Sequence, residues 1–146
     1  MKRCYLLVCT IVLLTACGDG SSPVTPSSDG GITETFNVTT ATLRSDGSVL
    51  YGTAPFISVN TAGTLDAKAS FGVVPGCEFV FSLRIPILLV SGNLVFDSCG
   101  TGPELSLHGD VTAGPYFFNM RTNATSSCAL PPQGMPFPHT IVVTHP

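Results

Sequence analysis

The stretch LDAKASFGVVPGCEFVFSLRI, Leu65 to Ile85, decides the fold class. Leu65, Ala67, Ala69, Phe71 and Val73 alternate with Asp66, Lys68 and Ser70. Beyond Pro75-Gly76, Cys77, Phe79, Phe81, Leu83 and Ile85 alternate in the same way, with Glu78, Ser82 and Arg84 between them. Successive side chains on an extended strand point to opposite faces, so this pattern describes two strands buried on one side. The Pro-Gly pair between them is a turn signal, and the reading predicts a hairpin of 64–74 with 77–85.

The same signals recur outward in both directions. Thr35 to Arg44 is β-branched and leads through Ser45-Asp46-Gly47 into Val49 to Tyr51. Phe56 to Val59 precedes Thr61-Ala62-Gly63, and Ile87 to Val90 and Leu94 to Phe96 flank Ser91-Gly92-Asn93. Glu104 to His108, Tyr116 to Arg121 and Thr140 to Thr144 complete the set. No stretch offers a capped apolar period of 3.6, so helices are not expected. Short strands with turns about every ten residues predict an all-β antiparallel β-sandwich, with a small β-barrel as the alternative. Ser126 to His139 carries four prolines. Proline cannot donate to a ladder, so this segment is expected as an ordered loop or an edge.

The amino end has a different composition. Lys2 and Arg3 precede an apolar run from Tyr5 to Leu14, and then Thr15, Ala16 and Cys17 follow. A positive start, a short apolar core and a small-residue exit describe a secretory signal peptide over residues 1–16. The run is shorter than the roughly 20 residues needed to cross a bilayer. Leu14-Thr15-Ala16-Cys17 resembles the lipobox of bacterial lipoproteins. The resemblance implies cleavage before Cys17, a diacylglyceryl thioether on its sulfur and acylation of its new amino group. Several chains on one residue make a lasting anchor, which a single chain does not. In enterobacterial lipoproteins an aspartate directly after the cysteine retains the protein in the inner membrane. Here Gly18 stands there, so the resemblance implies an outer-membrane location in the cell envelope.

Residues 17–31 then read as the lipidated cysteine and a Gly/Ser/Pro tether, since GDGSSPVTPSSDGG has almost nothing to bury. Residues 32–146 are one domain's worth of chain, long enough for a real core. After processing, Arg44, Lys68, Arg84 and Arg121 face nine acidic residues. That balance excludes a nucleic-acid partner, which needs a basic footprint.

Three cysteines remain after residue 17, in an oxidising compartment where disulfides persist. Val111 opposite Tyr116, around a Thr112-to-Pro115 turn, sets a register that carries Cys99 opposite Cys128 beyond the hairpin's open end. A Cys99–Cys128 bridge is therefore expected, with Cys77 a buried free thiol beside Phe79 and Phe81. A turn at Gly109-Asp110 instead moves Cys99 opposite Met120 and makes Cys77 the competitor.

Chemical constellations are sparse. His139 and His145 share a face of one strand, some 20 Å apart, too far to hold one ion together. They and His108 are expected as surface histidines, and no metal or cofactor is assigned. Met135 is expected as loop packing. Asp97 with Glu104, or Asp46 with Asp66, form no recognisable acid–base pair, and no catalytic motif is present. The expectation is a membrane-anchored structural or interaction module, held to the lipid bilayer by acylated Cys17 and working on an envelope protein. The alternative is a small-ligand-binding lipoprotein using the Pro-rich loop or a cleft between sheets.

Overall fold

A computed structural model describes residues 31–88, 91–123 and 127–146. Cys17, the expected signal peptide and most of the expected tether lie outside the described residues. The strands in chain order are β1 (Ile32–Val38), β2 (Thr42–Leu43), β3 (Val49–Leu50), β4 (Phe56–Val59), β5 (Gly63–Phe71) and β6 (Phe79–Leu88). They continue with β7 (Ser91–Gly100), β8 (Glu104–Val111), β9 (Gly114–Thr122), β10 (Met135–Pro136) and β11 (His139–His145). One sheet has the order β1-β11-β5-β8, the second β4-β9-β6-β7, and a small third sheet β10-β2-β3. Every pairing is antiparallel and no sheet closes on itself, so the all-β sandwich is present and the barrel is not.

The strands run where alternation places them, but two of the expected hairpins do not exist. β5 pairs with β11 and β8, whereas β6 pairs with β7 and β9. The chain therefore crosses from one sheet to the other between Phe71 and Phe79. Leu65, Ala67, Ala69 and Phe71 face Phe79, Phe81 and Leu83 across one core instead of lying beside them. Period two reveals which face is buried; it does not reveal which strand is the neighbour. β8 and β9 part in the same way, β8 to β5 and β9 to β6 and β4. Ser91-Gly92-Asn93, expected as a turn, open β7 opposite Leu88, Pro86 and Ile85.

The core holds two aromatic clusters. Phe79 stacks on Phe137 at 5.0 Å and meets Phe71 edge-on at 5.0 Å, which joins both sheets to the Pro-rich segment. Phe81 stacks on Phe118 at 5.6 Å near the middle. The outer face of the first sheet carries hydrogen-bonded polar pairs. Thr64 donates to Asp110, Thr140 donates to Asn37, and Lys68 meets Glu104 at 2.7 Å. The β6–β9 ladder ends at Arg84 opposite Phe117. Pro86 and Pro115 would face each other two residues further on, and neither has an N–H to donate.

Candidate functional site

Below the Arg84–Phe117 pair, the free edge of β9 is completed piecemeal. β4 pairs with it from Gly114 to Phe117. Phe118 N–H then donates to Pro55 O at 3.0 Å, and Thr122 N–H to Gly47 O at 2.8 Å. Between them Met120 N–H donates to the Tyr51 hydroxyl at 3.0 Å. The phenol stands in for a strand that residues 51–55 leave by looping away from the sheet. Burial pushes the Tyr51 hydroxyl well above its ordinary pKa, so it stays protonated.

That detour leaves a notch of about 230 Å³ on the outer side of the second sheet, lined by Leu50, Tyr51, Phe56, Pro86, Phe117 and Asn119. Its apolar rim is uncovered: Leu50 is 58% exposed and Phe56 45%. The Phe56 and Phe117 rings stack at 5.8 Å. Gly92 is required beneath them, because a Cβ there would stand 2.7 Å from the Phe117 ring and 2.3 Å from the Ile85 carbonyl. Leu94 and Ile85 add exposed apolar surface along the same sheet. On the far side of Ala54 and Phe56 lies a second, larger cleft of about 590 Å³. It runs between Thr35–Thr40 on one wall and Thr53–Phe56 on the other, and no charged side chain lines it. Leu50, Phe56, Ile85 and Leu94, four of the exposed large apolar residues, thus lie on the second sheet or beside its notch. One signal for the notch was present in the sequence: Ile57 and Val59 share a buried phase, which turns Phe56 outward.

The cysteines pair differently from expectation. Cys128 is bonded to Cys77, with Cα atoms 4.4 Å apart, so Cys77 is not a free thiol and Cys128 is not bonded to Cys99. The reason is the missing β8–β9 hairpin. The strand that β9 pairs with on this side is β6, which Cys77 precedes by two residues; Cys99 lies on β7, opposite Val80. Asn123 N–H donates to Glu78 O at 2.7 Å and its side-chain amide to the Glu78 carboxylate at 2.7 Å, holding the two strand ends together. The bridge then fastens the start of the Pro-rich segment to the sheet. Met135 on β10 pairs with Leu43 and packs against the core, as loop packing requires.

Two of the three histidines are buried, not exposed. His139 and His145 occupy the two ends of the inner face of β11, at 5% and 1% exposure. His139 donates from Nδ1 to Phe137 O at 2.9 Å, sits edge-on to Tyr51, and has no partner at Nε2. Burial lowers its pKa below the ordinary histidine value, so the neutral ring is the resident form. His145 Nε2 meets Glu34 at 2.9 Å. Only His108 is exposed, paired with Asp66 across β5 and β8. The carboxylates are likewise accounted for locally. Asp46 accepts from the Ser48 hydroxyl and N–H within its turn, which lowers its pKa, and Glu104 faces Lys68. Asp97 and Glu104 stand on different sheets. Among the described residues no group of three or more His, Cys, Asp or Glu is placed to hold a metal ion.

No family model matches the chain, and no curated protein matches it. Among solved structures it is similar to the pre-peptidase C-terminal domain of a collagenase from Bacillus anthracis, at 10% identity and a TM-score of 0.43, over 77% of this chain and 88% of that one. It is similar to a subviral particle protein of infectious bursal disease virus at 13% identity and 0.47, over 89% of this chain and 37% of that one. A periplasmic inhibitor of g-type lysozyme from Aeromonas hydrophila aligns at 12% identity and 0.41, over 84% of this chain and 92% of that one.

Proposed function

We propose that this chain is a lipid-anchored protein of the bacterial envelope, held to the outer membrane by acylated Cys17, whose β-sandwich is an interaction module. The observation that carries the module reading is the asymmetry of its surface. The outer face of one sheet is mostly paired polar side chains, with Val142 its exposed apolar residue, while the other shows an uncovered apolar notch built around stacked Phe56 and Phe117. Exposed apolar surface gathered in one place is characteristic of a protein-docking face. The partner is an envelope protein presenting an apolar side chain small enough for a 230 Å³ notch. The Pro-rich segment is a poor ligand site, because Phe137 is buried in the core and Cys128 is bridged to Cys77.

The lipobox supports the anchoring half, and one substitution tests it. Replacing Cys17 with Ser removes the only atom that can take the thioether. The variant should accumulate as an unprocessed precursor that incorporates no radiolabelled palmitate. Palmitate labelling equal to the parent chain would mean that the anchor lies elsewhere or does not exist.

A further inference from the structure

We infer that β1 is a self-pairing edge, and that two copies of this chain join across it into one continuous sheet. Sheet edges invite association and are normally blunted by short length, proline, bulges or charge. Three of the four long-sheet edges here are guarded. β4 has four residues and follows Pro55. β7 is broken by register shifts against β6. β8 carries Glu104, His108 and Asp110. β1 has none of these devices: seven consecutive residues pair with β11 without a bulge, and ITETFNV contains no proline and no lysine. Its one charge, Glu34, is half-buried on the inner face against His145, whereas Glu104, His108 and Asp110 of β8 stand exposed on the outer face although they too are paired.

The occupant follows from the strand's own sequence. Antiparallel pairing of β1 with a second β1 about Thr35 sets Thr33 opposite Asn37 and Thr35 opposite Thr35 on the outer face. Those are hydroxyl and amide pairs of the kind that stabilise adjacent strands. On the inner face it sets Glu34 opposite Phe36, and Ile32 opposite Val38, with no like charges opposed. Ile32 is 48% exposed in the single chain. In the pair, Ile32 of the second copy sits at the mouth of the uncharged 590 Å³ cleft, beside Phe36, Val38 and Phe56. Two-fold symmetry repeats the insertion, so a patch and its own receptor lie on one surface, as an isologous interface requires. The pairing uses the cleft side of Phe56 and leaves the notch side open. It does not rest on the anchoring or partner reading above, and either can fail without the other.

The test uses the full-length chain in detergent. Sedimentation equilibrium should show a dimer. Thr35→Cys should give a disulfide-linked dimer on a non-reducing gel that the parent chain lacks, because opposed residues in an antiparallel pair have Cα atoms about 4.5–5.5 Å apart, within disulfide reach. Thr33→Cys alone should not cross-link, since Asn37 faces it, and adding Asn37→Cys should restore the cross-link. Ile32→Asp should weaken self-association about tenfold or more without lowering the melting temperature, since this side chain is exposed in the monomer. A monomer at every concentration overturns the inference, whether or not it captures another protein. So does a dimer that is indifferent to Ile32→Asp, or one cross-linked equally by Thr33→Cys alone.

Discussion

Reduction of the Cys77–Cys128 bond, or its removal by Cys128→Ser, should lower the melting temperature by about 15 °C. The bridge spans 51 residues of sequence. A loop of that length restricts the unfolded chain by about 4 kcal/mol in the chain-entropy account. For a domain near 115 residues, each kcal/mol moves the midpoint by about 4 °C. The native side adds to this, because the bond ties the strand ends of β6 and β9 to the segment that delivers Phe137 into the core. Calorimetry with and without reductant measures it. A shift of only two or three degrees would mean that the Pro-rich segment is held by its packing alone.

Phe79→Ala should cost about 3–5 kcal/mol, the range for emptying an aromatic from a close-packed core. The ring is 1% exposed, stacks on Phe137 and meets Phe71 edge-on. Its loss would leave a void where both sheets and the Pro-rich segment meet, and none of these three can collapse inward independently. The cost should also be sub-additive with loss of the bridge, since Cys77 is two residues away and both hold Phe137 in place. Urea denaturation of the two single variants and the double variant decides this. Costs that add in full would place Phe79 and the bridge in separate units.

The alternation from Leu65 to Ile85 makes the fold class and the core faces legible in the sequence, because burial on one side imposes period two. Partnership between strands was not legible. A strand that crosses to the opposite sheet buries the same face as one that turns back, so Phe71 and Phe79 look alike in either topology. The cysteine pairing was hidden for the same reason: Cys99 and Cys128 would be opposed only if β8 and β9 paired, and they do not. His139 and His145 misled for a related reason. Polar residues in phase with Ile141 and Val143 are inward-facing, and phase outranks residue type when the strand is an interior one. The notch was half legible, through the outward phase of Phe56; its other half is the Tyr51 hydroxyl replacing a strand, a contact 69 residues apart in sequence.

The reading of the sandwich as an interaction module turns on the apolar notch, and affinity capture from the native membrane tests it most directly. The parent chain, Leu50→Ser and Phe56→Ser should be compared at equal abundance, with melting temperatures checked to confirm that all three fold. The parent should retain a specific envelope protein and Phe56→Ser, which dismantles the stack with Phe117, should lose it, with Leu50→Ser weakened to a lesser degree. Retention of the same partner by all three folded proteins would contradict the claim that the notch is where this protein does its work.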